Sequence, residues 1–321
     1  MRAEQFTIEQ YRDGILAGST VTLSRAITLV ESQLDSDQEQ GHKLLQSLLP
    51  LGNNSTRIAI SGVPGVGKST FIDAFGTQLT SQGHKVAVLA VDPTSAKTHG
   101  SILGDKTRMD ELSKDPNAFV RPTATGGRLG GVAGKTRETI LLCEAAGYDI
   151  IIVETVGVGQ SEVAVRSMVD FVLLLMLGGA GDELQGIKKG IIEIADGIAI
   201  NKADGDNIAN AKKAQAELMH ALHLVSSTVS KVITCSAVTK AGLDEIWKMI
   251  IAFKERGEGN GEWLRNRSSQ QMEWMEESLN ELILKETMKI RTQLDQQVSD
   301  FSVYPPAAAF QLFRELIKHL K

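Results

Sequence analysis

The chain has 321 residues, a formal net charge of −5, 42% apolar residues and 23% charged residues. This is the composition of an ordinary soluble globular protein, and its acidic balance gives no electrostatic case for binding nucleic acid or an anionic membrane. The opening "MRAEQFTIEQYRDG" puts acids and polar residues where the apolar core of a secretory signal would sit, and no apolar run is long enough to span a bilayer, so a cytoplasmic protein is expected.

Residues 1–52 read as a helical N-terminal extension. Ile8, Tyr11 and Ile15 are helically spaced, as are Leu23, Ile27 and Val30, and then Leu44, Leu45, Leu48 and Leu49. Pro50, Gly52, Asn53 and Asn54 supply breakers that close this part. From residue 53 to 257 the pattern is that of an α/β domain. Apolar, β-branched runs recur as "RIAISG", "KVAVLAVD", "DIIIVET", "FVLLLML", "GIAINKAD" and "KVITCSA", with helical stretches between most of them. Strands that are apolar throughout are buried on both faces, and their alternation with helices predicts a mostly parallel central sheet flanked by helices.

The first of these strands runs into "GVPGVGKST". Gly62, Val63, Pro64, Gly65, Val66, Gly67, Lys68, Ser69 and Thr70 satisfy the P-loop pattern with a strand before it and a helix after it. Glycines let backbone N–H groups wrap phosphates without Cβ clashes, and the helix N-terminus adds partial positive charge. Lys68 supplies a point charge for the β- and γ-phosphates, and the Ser69 hydroxyl suits Mg²⁺. The long polar segment Val91–Met109 follows the second strand and has the make-up of a nucleotide-sensing loop. In it Asp92 is a candidate metal group at a strand tip, while Asp105 and Arg108 are candidates for the γ-phosphate side.

"VETVGVGQSE" ends the strand "DIII". Glu154 stands where a Mg²⁺-facing or water-positioning carboxylate is needed, and the Gly157 N–H can meet a γ-phosphate. Both Glu154 and Gln160 are candidates for orienting the attacking water. "FVLLLML" then empties into "GGAGDELQGIKKG", which combines glycines with two acids and two lysines at the edge of the sheet where ligands bind. A plain connection would not need that combination, so a switch is expected there. Next, Asn201, Lys202 and Asp204 form "NKAD" at a strand end. A carboxylate there accepts from both N1–H and the exocyclic amine of guanine, and adenine would strand it unpaired. Asn201 ties neighbouring loops together and the Lys202 stem lies on the base. Ser236, Ala237 and Val238 close the next strand, where a backbone N–H reaches the guanine O6.

Residues 258–321 read as a helical arm. Met272, Met275, Leu279 and Leu282, then Ile290, Leu294, Val298 and Phe301, form a stripe at helical spacing. The stripe must be buried somewhere, and a homodimer interface is the favoured place.

Together, "GVPGVGKST", "VDPTS", "ETVGVGQSE", "GGAGDELQGIKKG" and "NKAD" resemble the methylmalonyl-CoA mutase-associated GTPases, the MeaB/ArgK family of the SIMIBI class. The resemblance covers roughly residues 1–270. It implies a homodimeric GTPase that binds an adenosylcobalamin-dependent acyl-CoA mutase, gates its cofactor loading and protects it. It also implies Mg²⁺ with GTP or GDP as the ligand, Glu154 as the hydrolytic carboxylate, and a third switch at 178–190 in which Asp182, Glu183, Gln185 and Lys188 couple to the partner. No D-x-H-x-x-G cobalamin signature occurs, so the cofactor is expected on the partner.

A metallochaperone GTPase is the alternative. It would need closely spaced soft ligands, whereas Cys143 and Cys235 lie far apart in apolar segments and only His220 and His223 have ligand-like spacing. A signal-recognition-type GTPase would want a basic RNA-binding domain, which the acidic balance opposes.

Overall fold

The computed structural model describes residues 6–49, 55–92, 109–124, 129–155, 161–178, 189–224, 231–290, 295, 298–300 and 302–319. The chain forms two compact units, Met1–Arg267 and Ser268–Lys321.

The first unit is built on a seven-stranded sheet: β1 (Thr56–Gly62), β2 (Val86–Asp92), β3 (Ala118–Ala124), β4 (Ile150–Thr155), β5 (Phe171–Leu177), β6 (Gly197–Asn201) and β7 (Val232–Thr234). Its order is β3-β2-β4-β1-β5-β6-β7, and every pairing is parallel. Successive side chains of a strand point to opposite faces. Accordingly Ala59, Ile151 and Val153 enter one core, while Ile58, Ile60, Ile150 and Ile152 enter the other. Two buried faces explain why these strands carry apolar residues at both phases.

The first face is covered by α1 (Ile8–Leu16), α2 (Thr20–Glu31) and α3 (Asp35–Leu48), together with α5 (Leu129–Ala145). Here α4 denotes Lys68–Ser81, on the second face. Local chemistry starts the first helices. Thr7 and Gln10 form a reciprocal capping box, and Ser19 accepts the Thr22 N–H at 3.2 Å. The stripes Tyr11–Ile15, Leu23–Ile27–Val30 and Leu44–Leu45–Leu48 are all buried, as expected, whereas Leu49 is exposed. The second face is covered by α4 and α9 (Leu243–Gly259), and a third cluster joins β6 to α8 (Ile208–Leu224). Two short helices, α6 (Ser161–Arg166) and α7 (Lys189–Ile194), precede β5 and β6.

β3 was not among the expected strands, because "AFVRPTA" carries an arginine and a proline. It lies at the edge of the sheet, where the missing N–H of Pro122 breaks no central ladder.

The N-terminal edge of the sheet repeats one device. An aspartate immediately before a strand accepts a backbone N–H from the root of the neighbouring strand. Asp149 takes Lys85 N–H at 2.7 Å, Asp170 takes Arg57 N–H at 2.8 Å and Asp196 takes Val172 N–H at 2.8 Å. Each carboxylate also holds a side-chain donor: His84, Arg267 and Arg166 respectively. The Arg57 and Val172 donors, which would otherwise be buried without partners, are thereby satisfied.

The helix α10 (Glu262–Ile290) starts in the first unit, with Trp263 buried and the Arg267 guanidinium 5.3 Å from its ring centroid. Within the second unit, α10 continues and α11 (Pro305–His319) ends the described chain. Met272, Met275, Leu279 and Leu282 are exposed there, as are Phe310 and Phe313.

Candidate functional site

The candidate nucleotide site lies at the C-terminal edge of the sheet, where open α/β sheets bind ligands. β1 ends on Gly62, whose φ is +151° and whose hypothetical Cβ would lie 2.5 Å from the Leu175 carbonyl oxygen of β5. Only glycine lets the strand turn here while β1 and β5 stay paired. Val66 is buried beneath the loop, and α4 begins at Lys68.

The Lys68 ammonium donates to the carbonyls of Gly62 at 2.7 Å and Val63 at 3.3 Å, which folds it back over the loop. The Ser69 hydroxyl donates to Glu154 Oε1 at 3.0 Å. Glu154 is buried in β4, registered against Ile60 of β1 and Ala90 of β2, so the central strands bring P-loop and carboxylate together.

The residues expected to face the base converge from three loops. Asn201, buried at the end of β6, donates through Nδ2 to the Val66 carbonyl at 2.9 Å. Its Oδ1 accepts Ala237 N–H at 3.4 Å. One amide therefore joins the P-loop to the segment after β7, the tie expected of it. Lys202 has φ +59° and donates from Nζ to the Gly65 carbonyl at 2.8 Å, which lays its stem along the loop. The Ser236 hydroxyl donates to Asp204 Oδ2 and so fixes the carboxylate. Ser236 and Ala237 are buried, and Val238 is exposed.

Asp92 ends β2, and its side chain lies outside the described ones. Asp105, Arg108, Gly157, Gln160, Asp182, Glu183, Gln185 and Lys188 lie outside the described residues. Gly178, which opens the segment 178–190, is described. A Cβ there would stand 2.6 Å from Ala211 Cα and 2.7 Å from Ala211 N, so β5 leaves the sheet in close contact with the α8 backbone.

Both cysteines are buried and free. Burial raises both thiols, Cys235 to about 12. Among the described residues no three His, Cys, Asp or Glu side chains gather as a metal-holding group, and no helix is long and apolar enough to cross a membrane. A groove of about 260 Å³ on α9, between Lys231 and Arg256, lies at the opposite edge of the sheet, where Met249 meets Gly197.

Sequence reasoning missed the aspartates at the strand roots and their arginines. The signal was present in "YDIII", "VDFVL" and "ADGIA", where an acid precedes each apolar run.

A parallel sheet ending in this P-loop, with Glu154 against Ser69 and Asn201 bridging to the base side, defines a P-loop GTPase of the SIMIBI class, an enzyme that hydrolyses GTP. The family model described as "Methylmalonyl Co-A mutase-associated GTPase MeaB" matches residues 23–292, and the chain belongs to that family. It is 49% identical over 271 residues to the GTPase ArgK of Escherichia coli, covering 83% of this chain and 82% of that one. It is 45% identical over 309 residues to the mitochondrial methylmalonic aciduria type A homolog of Mus musculus, covering 92% and 74%. A crystal structure titled LAO/AO transport system kinase superposes with a TM-score of 0.76 at 37% identity, covering 99% of this chain and 100% of that one.

Proposed function

We propose that this GTPase is the chaperone of an adenosylcobalamin-dependent acyl-CoA mutase of the methylmalonyl-CoA mutase type, gating the loading of its cofactor and protecting it. The family match over residues 23–292 carries this reading. The name of the murine relative, methylmalonic aciduria type A homolog, supports it.

In this reading Lys68 exchanges the neutral carbonyls of Gly62 and Val63 for charged phosphate oxygens, and Glu154 orients the attacking water. Asp204 reads the guanine edge, with its plane set by Ser236, while the Lys202 stem packs on the base. Oxygen donors of the kind Mg²⁺ prefers stand together in Ser69 and Glu154, with Asp92 at the neighbouring strand end. When bound there, Mg²⁺ would neutralise charge developing on the phosphates. Cobalamin stays with the mutase.

Two copies of the chain would bury the stripe Met272, Met275, Leu279 and Leu282, whose side chains are all exposed. The segment 178–190 acts as the switch that reports the partner to the nucleotide. Gln185→Ala and Lys188→Ala test this in steady-state turnover: each should keep the basal rate and lose its stimulation by the mutase. Stimulation unchanged in both variants would remove that role.

A further inference from the structure

A buried ion cluster sits at the edge of the sheet opposite the P-loop. Arg267, on the first turns of α10, grips both oxygens of Asp170: Nε to Oδ1 at 2.8 Å and Nη2 to Oδ2 at 2.7 Å. The same Nη2 donates to the Ser55 carbonyl at 2.7 Å, and Asp170 Oδ2 also accepts Arg57 N–H. The Ser55 hydroxyl donates to Glu144 at the end of α5, and Glu144 takes a two-point grip from Arg57 at 2.8 and 3.0 Å. The side chains of Asp170 and Glu144 are each 3% exposed, that of Arg57 7% and that of Arg267 12%.

One guanidinium therefore binds the root of β1, the residue before β5 and the start of α10. Those two strands are neighbours in the sheet. Their other ends are the P-loop, after Gly62, and Gly178, which opens the segment 178–190. A short, close-packed strand passes displacement along its length instead of absorbing it.

A buried ion pair is weak grounds for stability, because an apolar replacement of similar volume often does as well. What the fork adds is directional geometry. A lysine could hold one carboxylate oxygen but could not also span the second and the Ser55 carbonyl.

We propose that Arg267, gripping Asp170 and Ser55 together, is a positioning residue that couples the root of α10 to the nucleotide through β1 and β5. The proposal rests on the GTPase site alone and not on the identity of any partner.

Hydrogen–deuterium exchange on the full chain tests it, comparing GDP with a non-hydrolysable GTP analogue. In the wild type, amides of residues 262–270 should exchange about 5- to 150-fold differently between the two nucleotides, the span of ordinary coupling energies. In Arg267→Lys that difference should fall below about twofold, with GDP affinity unchanged and kcat for GTP lowered without a change in KM. A purely structural role would slow or speed exchange equally with both nucleotides. No nucleotide-dependent difference in the wild type overturns the proposal, as does a difference that survives in Arg267→Lys. If the lysine variant does not fold, Asp170→Asn, which keeps an oxygen for the Arg57 N–H, is read in the same way.

Discussion

At the residue scale, Asp204 shows how a residue of a short motif is held in place by its neighbours. Its carboxylate is held by the Ser236 hydroxyl, from a strand end 32 positions away. In the proposed reading this carboxylate accepts the guanine N1–H and amine, and replacing one of its oxygens with an amide nitrogen would turn an acceptor into a donor that faces them. Asp204→Asn should therefore lower the preference for GTP over ATP by roughly 10- to 100-fold, equivalent to about 1–3 kcal/mol for an unmatched polar contact. Competition binding with the two nucleotides measures it, and unchanged selectivity contradicts the assignment. Asp196 makes a different kind of statement. Burial raises its pKa, against the pull of Arg166 and the Val172 N–H. A carboxyl group with a raised folded-state pKa binds more protons folded than unfolded, so its contribution is full below the unfolded value and is lost as pH rises through the folded one. Asp196→Asn has no such proton to lose. Urea midpoints measured upward from about pH 4, the ordinary aspartate range, should show wild-type stability falling relative to the variant. A constant gap across that range would contradict this account.

At the element scale, the join between β5 and α8 depends on Gly178. A methyl group there meets the Ala211 backbone at 2.6 Å, and backbone cannot rotate away as a side-chain tip can. Gly178→Ala should cost about 1–3 kcal/mol, the range for overpacking, and lower the midpoint of thermal unfolding by several degrees. Calorimetry checks this, and an unchanged midpoint would mean that α8 yields freely. The same scale shows what could be read in the sequence. β1, β4, β5 and β6 were legible because burial on both faces leaves unbroken apolar runs, and the P-loop because its function is encoded in consecutive residues. β3 was hidden because an edge strand tolerates Arg121 and Pro122, which a central strand would reject. The root aspartates were hidden for another reason. Asp170 and Arg267 meet across 97 positions, and no local pattern announces a contact made only by the closed sheet.

At the scale of the whole molecule, one edge of a parallel sheet gathers the P-loop, Glu154, Asn201 and Asp204, the residues proposed to meet phosphate, metal and base, and the other gathers aspartates and arginines that hold strand roots and the start of α10 in register. Asn201 joins the P-loop to the segment after β7 on the first edge, and Arg267 joins β1 to β5 on the second. An enzyme organised this way suits the task proposed for it, in which an event at a protein partner must alter chemistry at a phosphate. The most direct measurement is steady-state GTP turnover by the full chain with and without an adenosylcobalamin-dependent methylmalonyl-CoA mutase. The account predicts slow turnover alone and acceleration on the order of tenfold or more when the mutase is added, within the usual range of coupling between sites. Equal rates with and without the mutase would contradict it.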